Sequence, residues 1–416
     1  MASFPFFAAL GRAFRKHDGG RPAPCPYSIG DVATRAPWET AFVDRLAEFL
    51  SDPGGRRTVV FVADAPNAST FRYRIYNIRQ CLGRSPLRIC FFYRSELPGV
   101  EAHLGLCDLV VLQRVKWTGS LQRTIDRIRA LGIPLAYDVD DLICCLDAFP
   151  LVAHALNLDL EDERKFSFWM TRVARGEMVA RQCDAFIATN RFLADWLSRA
   201  FGGKPGHVIE NGLNREQLEV SERILRQKRG RPARAGEFVI GYFSGTKSHG
   251  RDFEVLAPEL ARFLRDCPSA RLVVVGFMDF PDDLRPFLDA GRVAVRPLVD
   301  FLRLQAEMAA VDVSVVPLVE NAFTHCKSEL KYFEAAAVET LTAASPTYAY
   351  AHAIRQGETG FLCRKGEWYP TLARLAEGKC DIAGLAEKAR RDCLARYSGE
   401  AYARRAEEVL ASLLRT

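Results

Sequence analysis

Short apolar runs rich in β-branched residues alternate with helical stretches along nearly the whole chain, and this alternation constrains the fold most strongly. In the first half, the strand-like runs are Thr58–Ala65, Leu87–Tyr93, Leu106–Val115, Pro134–Asp138, Cys183–Thr189 and His207–Glu210. A long helical stretch, Glu161–Arg181, lies among them. Continuous apolar strands that are separated by helices predict a parallel sheet covered on both faces.

A second alternating set begins after residue 236. Its strand-like runs are Phe238–Phe243, Arg271–Gly276, Asp312–Leu318 and Leu341–Ser345. With 416 residues, the chain is too long for one compact domain. We therefore predict an α/β protein made of two Rossmann-like, doubly wound domains that face a central cleft.

The predicted domain boundary is a basic stretch between the two sets. Its cationic residues are Arg223, Arg226, Lys228, Arg229, Arg231 and Arg234. Because runs of like charge are usually solvated, residues 214–236 are interpreted as a linker. The other predicted parts are an N-terminal extension with a helix (1–57), a first Rossmann-like domain (58–213), a second Rossmann-like domain (237–400) and a C-terminal helix (401–416) that can cross back to the first domain.

Composition narrows the range of partners and compartments. The net charge of +6 suits anionic substrates or an anionic membrane surface and requires neither. The 12 cysteines include no CxxC pair and no zinc-ligand spacing, and no secretory signal is evident, so the sequence favours a reducing cytosol. The motif Arg229–Pro232 is of a kind that can enter the minor groove of AT-rich DNA. A single copy between two domains is more typical of a linker, so we predict no nucleic-acid partner.

The first 16 residues combine phenylalanines with arginines and a lysine. Such a segment can lie on a membrane surface, or it can be a frayed terminus or a small docking segment. No apolar run approaches the roughly 20 residues that span a bilayer. We therefore predict a cytoplasmic protein that can make peripheral contact with the inner face of the membrane through residues 1–16.

The first candidate site is a predicted helix that begins near Ser328, with Ser328 as N-cap and Glu329 in the first turn. Lys327, which precedes Ser328, and then Lys331 and Glu334 lie four and three residues apart, a spacing that places the three side chains on one face of the helix. A helix start and two lysines attract phosphate, and Glu334 can accept hydrogen bonds from both ribose hydroxyls. The alternative is an exposed Lys331–Glu334 pair on an ordinary surface helix.

The second candidate site is the loop in Gly241–Gly250, after the first strand of the second set. Gly245 and Thr246 let the backbone approach a phosphate, and Lys247 can neutralise a leaving diphosphate. The spacing is not that of a Walker loop. Ligands bind at the carboxyl ends of strands in such sheets, which favours a phosphate site over a plain turn.

Candidate residues for a second substrate lie in the first half. Arg72 and Arg74 belong to a cationic segment that can face a phosphate-bearing acceptor, although ordinary surface arginines explain it equally well. Asp138 and Asp140 point to the same side of a strand and can bind a metal, act as a base, cap a helix or accept hydrogen bonds; we favour capping and hydrogen bonding. Asn211 opens an Asn-Gly turn that can line the cleft.

Together, these motifs resemble the family-four-type retaining glycosyltransferases of the GT-B fold (glycosyl transferases group 1). The resemblance runs roughly from Thr58 to Tyr397 and is strongest over Phe238–Cys363. The matching stretches are Arg72–Asn77, Tyr137–Leu142, Asn211–Gly212, Gly241–His249, Leu272–Gly276, Lys327–Ala337 and Ser345–Leu362.

The resemblance implies the substrates and the roles of two residues. A nucleoside-diphosphate sugar would bind in the second domain (237–400), which makes it the donor-binding domain. A glycan or lipid-linked saccharide would bind mainly in the first domain (58–213), the acceptor domain, and would accept a hexose-type unit, with retention, in polysaccharide biosynthesis. No metal and no other cofactor is implied. Lys247 would bind the diphosphate and Glu334 the ribose, and both are predicted to be catalytic.

The chain departs from the family pattern at two places. Cys326 stands where the family has a glutamate, and Glu339–Thr342 replaces a Gly-x-Pro-Val turn. A non-catalytic module that binds sugar nucleotides therefore stays open as an alternative. A sugar-nucleotide epimerase that uses His249 and Glu329 is the other alternative.

Overall fold

The computed structural model describes residues 25–30, 36, 38–67, 69–231, 236–245, 250–278 and 280–414. The segment 1–16, predicted to contact a membrane, lies outside the described residues, as do Thr246, Lys247 and His249. None of the described helices is both long and apolar enough to cross a bilayer.

A parallel sheet of six described strands forms the first domain, in the order β2-β1-β3-β4-β5-β6. The strands are β1 (Arg57–Ala63), β2 (Leu87–Tyr93), β3 (Leu109–Gln113), β4 (Leu135–Val139), β5 (Ala185–Ala188) and β6 (Gly206–Val208). Alternate residues of β1 enter two different cores: Val60 and Val62 pack on one face of the sheet, and Val59 and Phe61 pack on the other. The sheet is thus covered on both sides, as its continuous apolar strands predicted.

The second domain contains a parallel sheet of the same size in the order β12-β11-β10-β7-β8-β9. Its strands are β7 (Phe238–Ser244), β8 (Ala270–Gly276), β9 (Val293–Arg296), β10 (Val313–Val316), β11 (Leu341–Ala344) and β12 (Phe361–Leu362). The strand order reverses between β7 and β10, which is the position where doubly wound sheets bind ligands. The predicted pair of Rossmann-like domains is therefore confirmed.

The described helices pack on the faces of the two sheets. In the first domain and the segment that follows it, they are α1 (Phe42–Leu50), α2 (Asn77–Cys81), α3 (Leu97–Val100), α4 (Gly119–Ala130), α5 (Phe149–Ala155), α6 (Glu163–Ala180), α7 (Arg191–Ala200) and α8 (Arg215–Arg229). A π-helical turn, Arg72–Tyr76, leads into α2.

The helices of the second half follow the same alternation. They are α9 (Gly250–Glu254), α10 (Ala257–Asp266), α11 (Arg285–Asp289), α12 (Phe301–Ala309), α13 (Ala322–His325), α14 (Leu330–Ala337), α15 (Tyr348–Ala353), α16 (Trp368–Ala376), α17 (Ile382–Tyr397) and α18 (Gly399–Leu413).

The stretch that we interpreted as a solvated linker is mostly the helix α8, so that interpretation was wrong. Asn214 caps α8: its side chain accepts a hydrogen bond from the Gln217 amide at 2.7 Å, and the Gln217 side chain accepts one from the Asn214 amide. Val220 and Ile224 are fully buried one turn apart. The arginines occupy the exposed face, and their density masked this apolar stripe in the sequence.

The C-terminal helix α18 packs on the first domain. Leu410 is fully buried in the same core as Phe71 and Ile78, which lie next to the first sheet. The hydroxyl of Tyr402 donates to the Glu210 carbonyl at 2.9 Å. The last helix therefore joins the two domains at a second point besides α8.

Replacement of Leu410 by alanine is expected to lower the free energy of unfolding by about 2–5 kcal/mol, because it leaves a cavity in a packed core. Urea unfolding followed by circular dichroism measures the change. The matched control is Leu106→Ala, since Leu106 is about half exposed in the same domain, and we expect that variant to unfold close to the wild-type midpoint. Equal midpoints for the two variants would show that α18 does not stabilise the first domain.

Candidate functional site

The carboxyl ends of the two sheets meet at the turn that precedes α14. Asn190, which follows β5, donates its side-chain amide to the carbonyls of His325 and Lys327 at 3.2 and 3.0 Å. Asn211, which follows β6, donates to the hydroxyl of Ser328 at 2.9 Å. The predicted cleft residues of the second domain therefore lie directly against the first domain.

The helix that was predicted to begin near Ser328 begins at Leu330, so Ser328 is not its N-cap. Asn321 instead caps the short helix α13, and the chain then turns before α14 starts. Glu329 is buried and accepts a hydrogen bond from the Tyr397 hydroxyl at 2.6 Å. Burial raises the pKa of Glu329 to about 7, although the Tyr397 hydrogen bond opposes this. The Glu329 side chain is therefore held by a contact inside the protein.

Glu334 is 2 % exposed, so the alternative of an exposed Lys331–Glu334 surface pair was wrong. Its Oε1 accepts hydrogen bonds from the Tyr73 hydroxyl, from Arg72 Nη2 at 3.4 Å and from Gln217 Nε2 at 3.3 Å. All three hydrogen bonds use the same oxygen, and no described residue donates to Oε2. One carboxylate oxygen is therefore fixed by the protein, and the other can accept hydrogen bonds from a ligand.

Lys331 lies one turn before Glu334, at the switch point of the second sheet. Its Nζ lies 5.6 Å from the centre of the Tyr242 ring, on β7. Burial lowers the pKa of Lys331 to about 8, against the attraction of Asp252. A half-buried ammonium at this position can neutralise a phosphate group more strongly than a solvated one.

The loop after β7 is described only at its ends. Gly245 is exposed and follows the buried Ser244. On the next strand, Gly276 has φ +99°, and a Cβ there would overlap the carbonyl oxygen of Ser244. The two strand ends therefore approach so closely that only glycine fits at residue 276.

The prediction that Arg72 and Arg74 face an acceptor disagrees with their burial. Arg74 and Asp138 have no exposed side-chain surface and form a bidentate ion pair, with N–O distances of 3.0 and 2.6 Å. Asn211 accepts from Arg74 at 3.2 Å. Arg72 is 3 % exposed and donates to Gln217 at 2.8 Å. The π-helical turn buries these arginines, whereas the sequence was interpreted as a surface segment.

Asp140 is the remaining acceptor candidate, and it lies closer to solvent. Its carboxylate accepts from Arg114 Nη1 at 2.7 Å. Arg114, with Asp64, Arg94 and Lys116, belongs to a charged cluster that was missed in the sequence. The signal was available, because Asp64 directly follows β1 and Arg114 directly follows β3.

Residues 237–377 match the family model described as Glycosyl transferases group 1. Because of this match, we call residues 237–377 the group 1 domain. HepE from Anabaena, crystallised with UDP and glucose, is a structural neighbour of both domains, with 16 % identity over 87 % of this chain and 100 % of that one and a TM-score of 0.56.

Two other solved structures resemble the chain to the same extent. Sucrose-phosphate synthase from Thermosynechococcus elongatus gives a TM-score of 0.58, with 16 % identity over 86 % of this chain and 100 % of that one. A glycosyltransferase from Rickettsia africae gives a TM-score of 0.57, with 13 % identity over 87 % and 99 %. These similarities confirm the GT-B fold. No curated protein sequence gives a significant match.

The group 1 domain buries the cysteine that replaces the family glutamate. Cys326 is fully buried and packs with Phe323 in a core that includes Cys144 and Val152 of the first domain. Burial raises the pKa of its thiol. The side chain at this position therefore fills a contact between the two domains.

The second departure of the group 1 domain is stabilised by α8. Glu339 has φ +52°, a conformation that favours glycine, which the family has at this turn. The Glu339 carbonyl accepts from Lys228 at 2.6 Å, and its carboxylate pairs with Arg229 at 2.8 Å. These basic residues of α8 hold a glutamate in a turn that ordinarily takes glycine.

Possible metal ligands do not converge in the described part of the group 1 domain. Across the described residues of the whole chain, no group of three or more His, Cys, Asp and Glu side chains could hold a metal ion. In the same region, Lys327 lies in the turn before α14 and Lys331 in the first turn of that helix.

Proposed function

We propose that this chain is a glycosyltransferase that moves a hexose-type unit from a nucleoside-diphosphate sugar to a glycan or lipid-linked saccharide. The observation that carries the proposal is that Lys331 and the Oε2 atom of Glu334 lie on one face of α14, at the switch point of the second sheet. Their spacing places an ammonium and a carboxylate oxygen on one helix face. The match of residues 237–377 to Glycosyl transferases group 1 supports the same reaction.

The proposed roles follow from charge. Lys331, together with Lys247, binds the diphosphate and neutralises the negative charge that develops as it leaves. Glu334 Oε2 accepts hydrogen bonds from the ribose hydroxyls, while Tyr73, Arg72 and Gln217 hold Oε1. In a cleft with little water, such neutralisation is worth about 3–4 kcal/mol of barrier and needs no metal. Retention is proposed from the family resemblance.

The first test is turnover of a panel of sugar nucleotides, beginning with UDP-glucose because HepE was crystallised with UDP and glucose. The variant Glu334→Gln keeps the shape and an acceptor oxygen but removes the charge that strengthens the ribose hydrogen bonds. We expect its KM for the donor to rise about tenfold or more, as for the loss of a charge-assisted hydrogen bond.

Glu358→Gln is the control for that variant, because Glu358 is exposed at a surface turn. We expect its KM to match that of the wild type. An unchanged KM for the donor in Glu334→Gln would remove the ribose role from Glu334.

A non-catalytic module that binds sugar nucleotides is the second candidate, and the buried Cys326 favours it. Calorimetry that showed donor binding without hydrolysis or transfer would support this candidate over the enzyme. The epimerase has less support, because its candidate acid or base Glu329 is buried and bonded to the Tyr397 hydroxyl.

A further inference from the structure

A charged cluster lies at the switch point of the first sheet, between β1 and β3. Asp64, at the end of β1, accepts hydrogen bonds from Lys116 and from Arg94, the latter at 2.8 Å. Burial would raise the pKa of Asp64, but these two cations hold it below its usual value. Ligands bind at such switch points in doubly wound sheets.

The cluster extends across the cleft to the group 1 domain. Arg114 pairs with Asp140 at 2.7 Å and lies 3.8 Å from Asp141. Lys327, in the turn before α14, reaches Asp141 at 3.9 Å. The first-domain cluster is therefore continuous with the turn that precedes Lys331 and Glu334, so a group bound there would lie beside the donor.

Cationic side chains outnumber carboxylates in the described part of this cluster. The cations are Arg94, Arg114, Lys116, Arg172 and Lys327, and the carboxylates are Asp64, Asp140 and Asp141. Arg172, on α6, lies close enough to help lower the pKa of Lys116, although burial contributes most. The cluster thus has unbalanced positive charge in a half-buried location, where charges are weakly screened.

The backbone adds a second sign of a functional site. Arg114 has φ +51°, which is uncommon for a residue other than glycine. Its guanidinium is directed to Thr70 at 3.1 Å and to Asp140. Strained residues of this kind concentrate at ligand sites, where surrounding contacts hold them.

We propose that this cluster binds a phosphoryl group carried by the acceptor. The inference rests on the proposed function, because it assigns the acceptor to the first domain and the donor diphosphate to Lys331. Arginine forks match phosphate oxygens bidentately, and lysine adds a point charge. The acceptor is thus a saccharide phosphate, in which the phosphate is either free or esterified to a lipid.

The test measures binding without requiring turnover. A hexose 1-phosphate, its long-chain alkyl phosphodiester and the matched methyl hexoside are titrated by calorimetry with UDP saturating the donor site. We expect both phosphates to bind at least tenfold more tightly than the methyl hexoside. The phosphodiester binding more tightly than the monoester would indicate a lipid-linked acceptor, and the reverse a soluble one.

Variants of the cluster then test whether its cationic side chains bind the phosphate. Lys116→Met and Arg172→Gln are each expected to reduce the preference for phosphate at least fivefold. Arg172 is exposed, so its variant should fold even if Lys116→Met does not. Arg164→Gln, at an exposed position of α6, is the control. Equal binding of phosphate and methyl hexoside, or an unchanged preference in Arg172→Gln, would overturn the assignment.

The results distinguish a failure of the acceptor inference from a failure of the proposed function. Donor hydrolysis without a phosphate preference would refute only the acceptor inference. A phosphate preference without any transfer would leave this subsite intact and favour the non-catalytic module.

Discussion

Asp138→Ala is expected to lower the free energy of unfolding of the first domain by about 3–5 kcal/mol, because it leaves the buried Arg74 charge without its partner. Both side chains have no exposed surface, and both nitrogen–oxygen contacts of the bidentate pair are short. Asn211 would remain as a partner of Arg74, but an amide oxygen cannot balance a guanidinium charge. Urea unfolding followed by tryptophan fluorescence measures the loss.

Two further variants serve as controls for this prediction. Asp282 pairs with Arg285 at 2.8 Å, but both side chains are largely exposed, so Asp282→Ala should change stability by about 1 kcal/mol or less. The double variant Arg74→Met, Asp138→Leu removes both charges, and it should recover part of the loss. If Asp138→Ala were no more destabilising than Asp282→Ala, the ion pair would not be a buried stabilising element.

The Arg74–Asp138 pair also explains why the acceptor residues were poorly predicted. Arg72 and Arg74, which follow the first strand, were interpreted as surface residues that face a substrate. Asp138, at the end of another strand, was interpreted as a residue of the substrate site. Neither segment reveals that the π-helical turn brings Arg74 onto β4, because that contact joins residues far apart in the sequence. Pairing between distant charges needs the tertiary fold.

The fold itself was predictable because it depends on local patterns. Strand β2 has the predicted bounds, Leu87–Tyr93, and β7 differs from its predicted run by one residue. The run Val293–Arg296 and the two-residue β12 were missed, since such short segments carry little periodicity. The helix α8 was missed because its exposed charges dominated the composition.

The candidate donor site was partly predictable. The spacing of Lys331 and Glu334 places both on one face of α14, and the structure puts that face at the switch point. The three donors to Glu334 Oε1 come from two separate segments, Arg72–Tyr76 and α8. No sequence pattern links these segments to Glu334, so the distinction between its two oxygens emerges only from the structure.

Lys331→Met is expected to lower kcat/KM for the sugar-nucleotide donor by about 10²–10³-fold, the effect of removing one group that stabilises developing charge. The expectation follows from the half-buried position of the ammonium beside β7, where a diphosphate would have little water to screen it. Steady-state kinetics with UDP-glucose, or whichever donor the panel selects, measures the loss. Lys379→Met is the control, because Lys379 is largely exposed and pairs with Glu377.

The pH dependence of kcat/KM tests whether Lys331 is the group that binds the diphosphate. Its pKa of about 8 means that the ammonium form is present below pH 8 and is lost above it. Because the diphosphate binds the charged form, kcat/KM of the wild type should fall as the pH rises through about 8. Lys331→Arg keeps its charge at high pH, so its profile should stay flat there even if its maximum is lower. A wild-type profile without this fall, or the same fall in Lys331→Arg, would show that another group binds the diphosphate.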